Sequence, residues 1–476
     1  MSRTFRFYLP ILLISLFFTI VSVIVIKGGY VNPELYDRIP HLLSGKSVAE
    51  RVFDPGAMDY NLYQARELSY LVDQIDVAVI FEMIQRGVPN MISIMHYLLG
   101  TIAVLILYAF CRRDLELGFT TSVLMTILTW SAPCMMFGGS YTRSAKIGAA
   151  TTLVAVFVVT YRLLRKLRLG ERPALSELSL LGGLTLLMTL WDRQGFFTAI
   201  SLFVFLTIIG VLTSESGIWR LVIAVLVALS ASMVYNLYLG PWVIHALNGY
   251  WPDFSYQRLP WKEIREEYSA YMLEGMGMLR RAIFYNLGNM MSWIIVGIFL
   301  VPAAIAGNRA LSRKVDYRQA LYPLAIWIGL LTSAVLMPVV MNALMRARHS
   351  GVNIPVFQFY YYPLVTTYLW ICLLAVGLSR VRNLGKYGSQ AAQLLCLLLV
   401  IGNLLAFPKN RDVYFNGYLK HFIDPTVVYF KALREVQEGG IPSEEALCHD
   451  SLFRLFAHRM HHDLPKVESD KRFIPY

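Results

Sequence analysis

Residues 8–26 read YLPILLISLFFTIVSVIVI, a run without a single charge. A helix rising 1.5 Å per residue needs about 20 such positions to cross the roughly 30 Å hydrocarbon core of a bilayer. Arg3 and Arg6 precede the run and no small-x-small cleavage site follows it. It is longer than a signal-peptide core, and it reads as a retained signal-anchor helix. That reading decides the fold class, because segments of the same kind recur along the chain at 91–110, 119–136, 147–164, 178–190, 195–212, 221–239, 290–305, 320–344, 362–378 and 391–406. The segment 178–190 is short, and omitting it would invert the topology of everything after it.

The 476 residues are 56% hydrophobic and 16% charged, against about a quarter charged in soluble proteins. The expected architecture is therefore an all-α polytopic membrane protein of about eleven transmembrane helices. A formal net charge of +12 would suit nucleic acid, but its distribution argues for topology instead. With the N-terminus inside, the inner loops hold Arg112, Arg113, Arg162, Arg165, Lys166, Arg168, Arg172, Arg220, Arg309, Arg313, Lys314, Arg318, Arg380, Arg382 and Lys386. The short outer loops hold only Arg143, Lys146, Arg193, Arg346 and Arg348. This is a positive-inside bias, and it implies no nucleic acid. The domain expectation is a membrane domain over 1–406, with outer loops 27–90 and 240–286, and a small extracytoplasmic tail over 407–476. The five Cys form no CxxC pair, so neither a disulfide framework nor a zinc ribbon is expected.

Chemistry is concentrated in the first outer loop, where residues 53–76 read FDPGAMDYNLYQARELSYLVDQID. Four Asp and a Glu beside a membrane are costly unless they do something. Pro55-Gly56 marks a turn, and Asp59 is placed to cap a helix running to about Asp76. On that helix Asp59, Tyr63, Arg66 and Tyr70 share one face, while Asp73 and Asp76 read as solvation of its far end. A carboxylate set among hydroxyls and a cation suits general-base work on an acceptor hydroxyl or amine. The same pattern also suits an interfacial helix whose charges face water.

The segment Asp59-Tyr60-Asn61-Leu62-Tyr63-Gln64-Ala65-Arg66-Glu67-Leu68 resembles the Asp-Glu-x-x-Tyr…Ala/Ser-Arg-Glu-Met pattern of GT-C glycosyltransferases, in the lipid A aminoarabinose and protein mannosyl transferase branches. Tyr60 stands at the second acid, and Arg66-Glu67 sits two residues early. The resemblance covers this segment and the topology of a retained first span followed by a long outer loop. It implies an inverting transfer from a polyprenyl-phosphate sugar to a lipid, glycan or protein acceptor at the outer face of a bacterial cytoplasmic membrane. The N-terminus would be cytoplasmic and the C-terminus extracytoplasmic. By the resemblance Asp59 would be the base, with Asp54 the rival. It leaves room for a divalent cation, although Tyr60 replaces the acid used by the metal-assisted variants.

The donor phosphate needs cations at the outer headgroup level. Candidates are Arg143 and Lys146 ahead of one span, and Arg346, Arg348 and His349 ahead of the aromatic cluster 357–362. Snorkelling to lipid phosphates would serve Arg143 and Lys146 equally well. Asp192-Arg193, between two apolar segments, is either functional or a self-neutralising pair at a turn. The Trp- and Tyr-rich loop 240–286 would cover the site or lie in the interface. His458, His461 and His462 in the tail have metal-ligand spacing but no further ligand group nearby, so no metal site is assigned. A non-enzymatic lipid-linked glycan flippase or polymerase partner is the alternative reading.

Overall fold

The computed structural model describes residues 3–26, 42, 45–58, 63–85, 93–138, 144–213, 215–253, 363–383 and 386–414. Their regular elements are all helical. In chain order these are α1 (Arg3–Ile26), α2 (Val48–Val52), α3 (Pro55–Met58), α4 (Glu67–Gln85), α5 (Ile94–Ala109), α6 (Phe119–Ser131) and α7 (Pro133–Met136). There follow α8 (Ala145–Arg168), α9 (Leu175–Thr189), α10 (Arg193–Thr213), α11 (Ser216–Val234), α12 (Gly240–Asn248), α13 (Pro363–Arg382) and α14 (Gly388–Tyr414).

Seven helical stretches in these residues are long and apolar enough to cross a membrane, and α6 and α9 are shorter apolar helices. They fall on nine of the expected spans. The remaining two, 290–305 and 320–344, lie outside the described residues. The chain is an all-α integral membrane protein.

Two expected boundaries shift for a backbone reason. Ala132 is extended (ψ 128°) ahead of Pro133, so 119–136 divides into α6 and α7 instead of forming one span. Proline pushes its predecessor out of the α region and then starts a helix well itself. The span expected to end at 239 instead continues without a break into α12. A π-helical turn at Tyr235–Leu239 widens the backbone where Pro241, lacking an N–H, could not extend the α ladder.

α8 is the central element. Its apolar window is 72% buried, against 22% for α1, and it packs on α5, α9, α10 and α13. The sequence Gly148-Ala149-Ala150-Thr151-Thr152 explains this, since small side chains let backbones approach where lipid offers no hydrophobic drive. A Cβ on Gly148 would lie 2.2 Å from the Trp191 ring. Side-chain hydrogen bonds add register: Thr151 Oγ1 donates to the Leu99 carbonyl at 3.0 Å, and Trp130 Nε1 to Ser15 Oγ at 3.0 Å.

The two ends of the bundle differ in charge. At one end, Arg162 is bidentate on Asp114 at 2.7 Å through Nε and Nη2, Lys166 pairs with Glu177, and Arg113 lies over Phe7. Among the described spans the middles carry Ser and Thr but no ionisable side chain other than cysteine and tyrosine. At the opposite end lie the starts of α5, α8 and α10, and α4 packs on the first two.

Gly148→Ala is expected to cost about 1–3 kcal/mol by overpacking against Trp191. Gly183→Ala on α9, where a new Cβ meets nothing within 4 Å, should be neutral or gain up to about 1 kcal/mol. Thermal denaturation of the two variants in detergent measures the contrast.

Candidate functional site

The helix expected over 59–76 does not form as one element. α3 ends at Met58, residues 63–66 are non-helical, and α4 begins only at Glu67. Ala65 has φ +47°, a left-handed value that breaks any helix for a residue with a Cβ. Tyr63 donates its backbone N–H to the Asp253 carbonyl at 3.0 Å, which fixes this strip against the chain beyond α12. Tyr63, Arg66 and Tyr70 therefore do not share a helical face with Asp59, which lies outside the described residues.

α4 also departs from the usual amphipathic pattern, burying polar side chains beside Tyr70, Val72 and Val77. Glu67, Ser69, Asp73, Gln74 and Asp76 are buried, whereas Leu71 and Ile75 are exposed. The expectation that Asp73 and Asp76 solvate the helix is overturned: they are 0% and 1% exposed. Asp73 Oδ1 accepts from the Ser144 N–H at 2.8 Å, at the start of α8. Asp76 accepts from Ser93 Oγ and, through Oδ1, from the Met95 N–H at 3.0 Å, at the start of α5. Ser144 Oγ lies 3.5 Å from Asp76 Oδ2. Helix N-termini present unused N–H groups and a positive dipole end, so each carboxylate finds donors there. Burial pushes the Asp76 carboxyl up to about 7, further raised by Asp73 and opposed by the Ser93 and Met95 bonds.

Beside this lies a buried ionic trio. Lys146 Nζ donates to Asp192 Oδ1 at 2.5 Å, and Arg66 Nη1 lies 3.8 Å from Asp192 Oδ2. All three residues are 6% exposed or less. The Gln194 N–H also donates to Asp192 Oδ1 at 2.8 Å, so Asp192 caps α10 as well. Burial favours the neutral form of Asp192, but Lys146 and Arg66 outweigh it and hold the carboxyl below the usual range. Lys146 sits in the first turn of α8, where the helix dipole repels a cation. Asp192 offsets that repulsion. The residues singled out as an outer cation and a turn acid are thus direct partners, 46 residues apart, and Arg66 joins them from the first loop. Arg193 is half-buried beside them.

Glu67, 5% exposed, faces the phenols of Tyr63 and Tyr235, the latter carried by the π turn. Burial, then Glu67, raises Tyr63 far above the ordinary phenol range. Tyr70 receives Arg66 over its ring, 5.8 Å from the centroid.

Asp54 occupies a separate junction. Lys46 Nζ lies 2.7 Å from its Oδ2, and Tyr250 OH donates to its Oδ1 at 2.7 Å. Asn248 donates to the Glu50 and Phe53 carbonyls at 3.1 and 2.8 Å. The first loop and the segment after α11 are clamped together here. An apolar cluster of Tyr63, Ala65 and Ile244, with Phe53, Tyr235 and Tyr250 against it, joins this junction to the strip leading to Arg66.

Arg143, Arg346, Arg348, His349, most of the loop 240–286, the tail beyond Tyr414 and its histidines lie outside the described residues. Among the described residues no three His, Cys, Asp or Glu side chains converge as a metal would require. Glu67, Asp73, Asp76, Ser93 and Ser144 were not marked as site residues by the sequence. The available signal was spacing: Glu67, Tyr70, Asp73 and Asp76 follow one another at intervals of three along α4. Comparison with models of known families, with curated proteins and with solved structures gives no match.

Removing one partner of the trio strands a buried charge. Asp192→Asn is expected to cost about 3–5 kcal/mol, and Lys146→Met added to it should restore part of that loss. Stability of the single and double variants in detergent measures the difference. The raised carboxyl of Asp76 sets a pH dependence. Its contribution is complete below about 4, falls by at most about 1.4 kcal/mol per pH unit as pH rises toward 7, and is level above that. Asp76→Asn should flatten this slope in denaturation midpoints taken between pH 4 and 8.

Proposed function

We propose that the chain is a membrane glycosyltransferase of GT-C type, moving a sugar from a polyprenyl-phosphate donor to a lipid, glycan or protein acceptor at the extracytoplasmic face. The observation that carries the proposal is the trio Lys146–Asp192–Arg66, buried at the bundle end where the first loop docks. Two buried cations, one from the first loop and one from the start of α8, converge there on one carboxylate in a low dielectric. Buried guanidinium and ammonium groups held in place at one bundle end suit a phosphate group. On this reading a carboxylate of the first loop, Asp59 or Asp54, takes the proton of the acceptor hydroxyl or amine as the acceptor atom bonds to the sugar C1. The bond from C1 to the phosphate oxygen breaks, with inversion. The negative charge remains on the polyprenyl phosphate, where Lys146 and Arg66, with Arg143, Arg346, Arg348 and His349, balance it.

The basic end of the bundle would face the cytoplasm, by the positive-inside rule. Confinement of charge to the two ends also supports chemistry at one surface over a flippase, which would place ionisable groups along a path through its spans.

The test is transfer of labelled sugar from a polyprenyl-phosphate donor in proteoliposomes. Asp54→Asn and Asp59→Asn together should abolish transfer, and Lys146→Met should lower kcat about 10²–10³-fold. Full transfer by the double Asn variant would sink the base assignment. Movement of intact donor across the bilayer without transfer would favour the flippase.

A further inference from the structure

A cavity of about 400 Å³ opens between α1, α5 and α8, away from the site described above. Its walls are apolar, with Leu105 and Ile106 facing Val158 and Val159, and its rim carries Tyr8, Arg113 and Arg162. From Ile102 to Arg113 a helix rises about 16 Å, close to half of the roughly 30 Å hydrocarbon core. The groove therefore runs from headgroup level to the bilayer midplane, the reach of one acyl chain in one leaflet.

The rim carries two guanidinium groups with different surroundings. Asp114 accepts from Arg162 through Nε and Nη2 at 2.7 Å, and its backbone carbonyl accepts from Arg165 at 3.0 Å. Arg113 is exposed, with its guanidinium 4.7 Å from the Phe7 ring centroid and 6.0 Å from that of Tyr8. Arg162 thus takes the Asp114 carboxylate, while Arg113 stands at the rings of α1. The π-helical turn Phe110–Asp114 brings Arg113 and Asp114 to this level. The aromatic contact holds Arg113 at α1, beside the mouth of the groove. A cationic mouth above an acyl-length apolar groove is complementary to an anionic phospholipid.

We propose that this groove is a binding site for an anionic phospholipid, its phosphodiester at Arg113 and Arg162 and one acyl chain between α5 and α8. The site is independent of the transfer chemistry proposed above.

The full chain in a neutral detergent is titrated with phosphatidylglycerol, with phosphatidylcholine of the same chains, or with inorganic phosphate, and its thermal midpoint is followed. Phosphatidylglycerol should raise the midpoint saturably, and the other two should not. Arg113→Gln, which breaks no ion pair, should raise the half-saturating concentration about fivefold or more. Ala155→Leu, which fills the groove and leaves the arginines in place, should do the same. Equal stabilisation by phosphatidylcholine or by inorganic phosphate would overturn the proposal, as would an unchanged titration in both variants.

Discussion

An ion in a low-dielectric interior must be neutralised where it stands, and the bundle end that carries the starts of α5, α8 and α10 is arranged by that constraint. Asp192 faces two cations at once, one on each carboxylate oxygen. Because Lys146 opens α8, Asp192 opens α10 and Arg66 precedes α4, a single carboxylate sets the relative height of three helices. Loosening any one of them would expose a charge without a partner, a penalty larger than most packing defects. Asp73 and Asp76 extend the same logic by occupying the N-termini of α8 and α5.

Much of the bundle could be read from residue order alone, because an apolar run long enough to cross a bilayer needs no partner to declare itself. The nine described apolar helices fall where their runs fall. Lys146, Asp192 and Arg66 were each visible as charges in costly places. Their pairing was not, since it joins positions far apart in the chain and no local pattern encodes it. The helical face drawn through Asp59, Tyr63, Arg66 and Tyr70 failed at Ala65. Periodicity cannot register a left-handed residue when that residue is not glycine.

The misreading of Asp73 and Asp76 has a different cause. A polar face is ordinarily assigned to water, and on a soluble protein the assignment would hold. Here α4 lies against the ends of membrane helices, whose unfilled amide groups attract carboxylates more strongly than Leu71 or Ile75 could be attracted to the same place. Polar-inside is then the lower-energy choice. Asp54 shows a related ambiguity: in sequence it is an acid beside a turn, and in space it is gripped by Lys46 and Tyr250 across the junction of two loops.

The inward acidity of α4 bears on how the chain assembles. Before α5 and α8 have gathered, Asp73 and Asp76 lack the backbone amides of Ser144 and Met95. The apolar spans face no such delay, since lipid accepts them singly. Docking of α4 is therefore coupled to the association of α5 and α8, since its two acids find both sets of amides only where those helix starts stand side by side.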